Sequence, residues 1–262
     1  MNTVVSKDGT SIAYDRSGAG PAVILVDGAL CSRAFGPMPK LAPLLARNFT
    51  VFVYDRRGRG DSGDGTTYDK QREIEDIAAL VAEAGGEAAL VGLSSGAALA
   101  LEAAVSGVPV RKLALYEPPY IAADKEGRQP PHDSLAQLKA LIAADRRSAA
   151  VRFFMVDIVG MPRIVGWLMR LMPAWSKLKA VAHTLVYDTT IMGDFTVPEE
   201  RLAKVAVPTL LLAGEKSPRS LRLASQAAAA AVPGASHAVL KGQTHNVSLP
   251  VLAPELERFL AA

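Results

Sequence analysis

Cysteine is nearly absent from this 262-residue chain. Cys31 stands alone, which excludes an intrachain disulfide framework and a Cys-based zinc cluster. Long apolar runs are missing too. The most apolar stretch, residues 164–175, is interrupted by Arg170 and Pro173 and is too short to span a bilayer, so a membrane is not an expected partner. The first nine residues carry no basic segment followed by an apolar one, so the chain reads as a cytoplasmic protein without a signal peptide. Charge of one sign is not in excess: 29 Lys and Arg face 26 Asp and Glu, a balance of +3. The one tight basic cluster, Arg56-Arg57-Gly58-Arg59, is followed at once by Asp61. That is no stripe of cations, and nucleic acid is not an expected partner. There is no internal repeat and no low-complexity linker.

What is present is a core. Half of the residues are hydrophobic and 21% are charged, which excludes intrinsic disorder. The length allows one large domain or two small ones. A chain of this size removes roughly 75% of its surface from water on folding.

Residues 3–6 and 11–15 form two strand-like runs joined by the turn residues Asp8-Gly9. Six further β-rich apolar runs follow, at 22–26, 50–54, 88–93, 112–116, 209–213 and 237–240. Each is nearly continuous in apolar residues and bounded by Gly, Pro or Asp, as suits strands buried on both faces of a parallel sheet. Helix-period segments alternate with them: 70–84, 96–106 ending at Gly107, 219–231 closed by Pro233-Gly234, and 255–260. The pattern predicts an α/β protein with a mostly parallel, doubly wound sheet of about eight strands. Between Pro118 and Lys204 the rhythm breaks. This stretch has no clear strand and holds both tryptophans, Trp167 and Trp175. It is read as a helical lid inserted between a core of residues 1–117 and 205–262.

The strongest chemical signal is Gly92-Leu93-Ser94-Ser95-Gly96, placed between a strand and a helix. A Ser on such a sharp turn presents its hydroxyl at the sheet edge, and the flanking small residues let strand and helix approach. Ser94 is the candidate nucleophile. It needs a base. Of the four histidines, His245 follows the last strand and so lies at the carboxyl edge that also carries Ser94, whereas His237 opens that strand at the opposite edge. A triad acid after the penultimate strand would fall at Ser217, with Glu215 close to the strand end. The other topologically allowed acid is Glu117, at the end of the strand after the Ser94 helix, and it is assigned to orient His245. Ser95 is the first oxyanion donor. Gly28 or Ala29, in Val26-Asp27-Gly28-Ala29-Leu30, is the second. Asp27 is expected to turn away or to be hydrogen-bonded, because a free carboxylate there would oppose an oxyanion.

These residues together resemble the α/β-hydrolase superfamily over nearly the whole chain. Asp55-Arg56-Arg57-Gly58-Arg59-Gly60-Asp61-Ser62 looks like that superfamily's D-x-R-G-x-G-x-S loop. The layout is also similar to the zearalenone-lactonase group, which has a D-G oxyanion loop, an S-S-G elbow and a triad Glu after the following strand. Asp27-Gly28, Ser94-Ser95-Gly96 and Glu117 match these. Uncharacterised bacterial hydrolases look alike too. Haloperoxidase-like perhydrolases are similar in outline, but usually carry Met after the nucleophile and an Asp acid.

The resemblance implies the α/β-hydrolase fold and a serine esterase or lactonase acting through Ser94, His245 and Glu117, with no metal and no cofactor. Aromatic and Met residues of the insertion suggest an apolar pocket for a small to medium ester or lactone. Leu30, Met155, Trp167, His183 and Met192 are the candidate substrate contacts. A monomer or homodimer is expected. Two other readings stay open: a non-acylating use of the fold, as lyase or perhydrolase, and a silent ligand-binding module.

Overall fold

The computed structural model describes residues 1–121 and 129–262. Eight strands form one sheet: β1 Asn2–Val5, β2 Ser11–Ser17, β3 Ala22–Val26, β4 Thr50–Tyr54, β5 Ala88–Leu93, β6 Val110–Tyr116, β7 Thr209–Gly214 and β8 Ser236–Leu240. Their order is β1-β2-β4-β3-β5-β6-β7-β8. Only the pairs involving β2 are antiparallel; from β4 to β8 every pair is parallel. Strand order reverses around β3 and β5, so a crevice opens there at the carboxyl ends of the parallel strands.

Successive residues of one strand feed two different cores. Ile24 and Val26 of β3 pack in one layer, whereas Val23 and Leu25 pack in the other. This period of two is what a strand buried on both faces requires. The first layer is covered by α2 Lys70–Glu83, α3 Ser95–Val105 and a later helix, Arg219–Ala231. The second is covered by α1 Met38–Leu45 and the terminal helix Leu249–Ala261. The sequence pattern missed α1 and began the terminal helix six residues late, at 255. Prolines hid both. Pro39 and Pro250 sit in first turns, where the missing N–H bond costs nothing, and Pro43 and Pro254 lie further inside.

The long connection between β6 and β7 holds α4 Ser134–Ala143, α5 Arg147–Phe153, α6 Arg163–Leu168, α7 Trp175–Ala180, α8 Leu185–Met192 and α9 Glu199–Leu202. A π-helical turn, Phe154–Ile158, continues α5, and a 3-10 turn, Met169–Leu171, continues α6. Among the described residues this connection contains no strand. Residues 122–128 of the expected insertion lie outside the described residues. The connection has a core of its own, built on Leu138, Val151, Phe153, Trp175 and Leu185. The chain then resumes with α10 Arg219–Ala231 and ends in α11 Leu249–Ala261.

Candidate active site

The turn between β5 and α3 is tight because its neighbours leave no room. A Cβ on Gly92 would fall 2.5 Å from Ala97 Cα, and one on Gly96 would collide with the Val26 carbonyl. Ser94 itself has φ 53° and ψ −126°, a conformation that costs about 1–3 kcal/mol and persists only where the surroundings impose it. Here the Ser94 amide donates to the Tyr116 carbonyl at 3.0 Å, and its own carbonyl accepts from Ala97 at 2.8 Å. The turn is held on both sides.

Glu117 follows β6 and is also left-handed, with φ 44°. Its amide donates to the Leu212 carbonyl at 3.0 Å. Its carboxylate is fully buried. One oxygen, Oε1, accepts from the Gly214 amide at 2.7 Å; the other lies 2.6 Å from His245 Nδ1. His245 Nε2 lies 3.2 Å from Ser94 Oγ. One carboxylate oxygen is thus anchored to backbone while its twin faces the ring. The loop carrying His245 is fixed in turn, since the Tyr116 hydroxyl donates to the Thr244 carbonyl at 2.6 Å. Glu215 is engaged elsewhere and accepts from the Gly242 amide at 2.8 Å. Chemically, a strained hydroxyl, an imidazole and a buried carboxylate in hydrogen-bonded series can pass a proton from Oγ to Nε2 and hold the resulting imidazolium.

Two residues with candidate donor amides, Ser95 and Ala29, line the cavity beside Ser94. Ser95 is the first residue of α3, so its N–H is one of the four that a helix start leaves without an intrahelical acceptor. In the facing loop the Gly28 amide is already spent on Asp27 Oδ1, at 2.9 Å. The Gly28 carbonyl accepts from Arg59 Nη1 at 2.7 Å. A trans peptide directs its N–H opposite to its C=O, so the Ala29 amide points away from Arg59. Of the two courses expected for Asp27, turning away or being hydrogen-bonded, its Oδ1 takes the second. Burial pushes its carboxyl up to about 6.

Behind the two amides lies a buried charge cluster that sequence reasoning missed. Asp188 of α8 accepts from Arg56 Nη1 at 2.8 Å, Arg59 Nη2 at 2.7 Å and the Ser95 hydroxyl at 2.7 Å. Burial raises its pKa, but Arg59 and Arg56 outweigh that and hold the carboxyl below the ordinary carboxylate value. Arg56 also forks onto Glu73 at 2.7 and 2.8 Å. Arg57 forks onto Asp76 at 2.9 and 2.7 Å. The basic run is therefore consumed inside the fold; all three guanidiniums are 1% exposed. The motif was visible, but its main partner stands 132 residues away in the connection.

A cavity of about 530 Å³ opens at Ser94 and His245. Its walls are mostly apolar: Ala29, Pro119, Ile121, Phe154, Ile158, Met192, Phe195 and Leu221, with Arg219 among them. Of the candidate substrate contacts, Met192 is in this lining. Leu30, with φ 63°, is instead buried in the connection's own core. Met155 packs against that core as well. Trp167 is 54% exposed. His183 turns to Asp64, at 3.3 Å, and meets the Tyr187 ring edge-on. The wall residues Ile121, Phe154 and Phe195 were not singled out from the other apolar residues of the insertion, because any of them could equally have been core. Asp194 is exposed and caps Thr196.

Comparison with known proteins agrees with this architecture. A model of the alpha/beta hydrolase family matches residues 17–257. An alpha/beta hydrolase from Sphaerobacter thermophilus is 47% identical, covers 99% of this chain and 100% of its own, and superposes with a TM-score of 0.93. A hydrolase from Pseudomonas aeruginosa, 23% identical over 100% of this chain and 98% of its own, shares the fold with a TM-score of 0.74. Pimeloyl-[acyl-carrier protein] methyl ester esterase of Xanthomonas campestris pv. campestris is 29% identical over 254 residues, 95% of this chain and 98% of that protein. With the family model matched over residues 17–257, and with its sheet order and elbow in agreement, the chain belongs to the alpha/beta hydrolase family.

Proposed function

We propose that this protein is a serine hydrolase that cleaves a carboxylic ester or lactone through an acyl-enzyme. Ser94 is the nucleophile, His245 the general base and then the general acid, and Glu117 the residue that orients His245. The observation that carries this reading is the unbroken series Glu117 Oε2, His245 Nδ1, His245 Nε2, Ser94 Oγ, with steps of 2.6 and 3.2 Å. In the first half-reaction Oγ attacks the carbonyl carbon as Nε2 takes its proton. The amides of Ala29 and Ser95 hold the oxyanion. His245 then returns the proton to the leaving alcohol oxygen. In the second half-reaction water adds to the acyl-enzyme with the same proton path, and the acid departs from Ser94.

The apolar walls suit a small to medium apolar acyl or alcohol part, and 530 Å³ lies within the size range of small-molecule sites. Ester hydrolysis is also the reaction in the name of the 29%-identical Xanthomonas relative. The segment of residues 118–204, which supplies Phe154, Ile158, Met192 and Phe195 to the cavity, acts as its lid. Asp188 joins that lid to the oxyanion loop through Arg59.

Treatment with a fluorophosphonate, followed by peptide mass spectrometry, tests the reading directly. One adduct on Ser94, absent from Ser94→Ala, is expected, together with turnover of a panel of methyl and aryl esters and lactones. Folded protein that forms no Ser94 adduct overturns the acyl-enzyme.

A further inference from the structure

Large apolar side chains are exposed in one place far more than elsewhere. Of the ten that are strongly exposed among the described residues, six fall between Val159 and Met172. Four of these, Ile164, Trp167, Leu168 and Leu171, follow one another at i, i+3, i+4 and i+7 along α6 and the 3-10 turn that continues it. That spacing puts them on one helical face. The face points outward because the opposite side is pinned. Gly166 packs so closely on the Val156 side chain that a Cβ there would collide with it. The outward stripe is therefore apolar, the reverse of an ordinary surface helix.

Between Asp157 and Asp188 the charge along the chain has one sign. From residue 158 to 187 the sequence contains Arg163, Arg170, Lys177 and Lys179 and no Asp or Glu. Without these four the remaining chain has 25 cationic against 26 acidic residues, so the excess positive charge of the whole protein resides here. None of the four has an ion-pair partner among the described residues. From residue 158 to 175 the chain also lacks Ser, Thr, Asn and Gln. The stripe continues directly from Ile158, Val159 and Gly160, which line the cavity at Ser94.

We propose that this face docks the protein on an anionic lipid surface, with Ile164, Trp167, Leu168 and Leu171 in the headgroup–acyl boundary and the four cations on the headgroups. An apolar stripe with Trp at its centre and Lys or Arg beside it is the chemistry of an interfacial helix. A second copy fits less well, since a two-fold interface would set the four cations against the same four. A protein partner would want about one hydrogen bond per 100–200 Å² of interface, and the only exposed uncharged polar group this stretch offers among its side chains is the Trp167 indole N–H. The docked orientation brings the cavity wall at Ile158 and Val159 beside the lipid, which would hand amphiphilic substrates to the site. Binding is read without turnover, so the docking and the esterase reading fail separately.

The test is co-sedimentation of the full chain with phosphatidylglycerol and with phosphatidylcholine vesicles, joined to quenching of Trp fluorescence by brominated phosphatidylglycerol. Trp175 is buried and Trp167 exposed, so the quenched emission reports Trp167. Partition onto phosphatidylglycerol at least tenfold above that onto phosphatidylcholine is expected, weakening in 0.5 M NaCl. Ile164→Ser/Leu171→Ser lowers it at least tenfold with the unfolding midpoint retained. Arg163→Gln/Arg170→Gln lowers it by about fivefold per cation. Absence of vesicle binding, equal binding to both lipids, or undiminished binding of Ile164→Ser/Leu171→Ser overturns the proposal. So does self-association abolished by that double variant, which would give the face to a second copy, or capture of an acidic protein without vesicle binding.

Discussion

On one side of Ser94 stands His245, 37% exposed at its side chain and backed by a single buried carboxylate. On the other stand Arg56, Arg59, Glu73 and Asp188, two cations and two anions, none more than 1% exposed. The first group has spare capacity. Its ring reaches the cavity and stands between Glu117 and Ser94. The second has almost none, because nearly every charged atom already has a partner at hydrogen-bond distance. Breaking such a buried set by removing one member costs about 3–5 kcal/mol, since the remaining charges stay behind unpaired. The contrast teaches which side of the site is open and which is closed. Proton transfer is assigned to a partly exposed imidazole, and the peptides that would face the oxyanion are braced by buried, paired charges.

The largest expected effect is on the open side. Ser94→Ala is expected to lower kcat toward the roughly 10⁶-fold loss seen when a nucleophile is removed from a serine triad. Far-UV circular dichroism should stay unchanged, and persistent turnover would refute the assignment. Glu117→Gln removes the charge but not the shape; a loss of about 10⁴-fold in kcat is expected, by analogy with triad acids elsewhere. If Glu215→Gln showed that loss while Glu117→Gln remained near wild type, the acid would have to be reassigned.

On the closed side, Asp188→Asn is expected to act first on stability. It leaves Arg56 and Arg59 with excess charge, and urea unfolding should show a loss of about 3–5 kcal/mol. Because the Asp188 carboxyl is held below its ordinary value in the fold, its contribution is present above the unfolded value near 3.8 and lost as pH falls through the folded one. Slackening of the Gly28–Ala29 peptide should also reduce kcat, by less than the roughly 10²–10³-fold cost of deleting an oxyanion donor. A variant as stable as wild type would erase the distinction between the two groups.

The smallest effect belongs to Asp27. Its folded pKa is raised from 3.8 to about 6 by burial, so the sign is the reverse of that for Asp188. Its contribution is full below about pH 4 and lost as pH rises through 6. Asp27→Asn cannot ionise, and its stability relative to wild type should therefore climb between pH 4 and 7, by at most about 3 kcal/mol. A gap independent of pH in denaturant melts would show that Asp27 stays ionised throughout.

Much of this molecule was legible from local sequence. Strands β3, β4 and β5 were bounded to the residue, because a strand buried on both faces has to be written as a continuous apolar run ended by a turn residue. The elbow was legible because close backbone approach admits only small residues at 92 and 96. The carboxyl-edge rule then placed His245 and Glu117 with Ser94 before any distance was known. Three things were decided by tertiary structure alone. Asp188 could be found only once α8 had been packed over Arg56 and Arg59, since burial and charge pairing are relations between distant segments. Leu30, Trp167 and His183 looked like pocket residues by composition, but composition does not say which side of a helix or loop faces inward; the fold turned one into a core, one to the surface and one onto Asp64. The choice between Gly28 and Ala29 rested on a single hydrogen bond to Asp27. Sequence determines what a short segment must be buried against, because that depends on spacing along the chain; which charges meet and which amides stay free depends on directions in space, and those exist only after the chain has closed on itself.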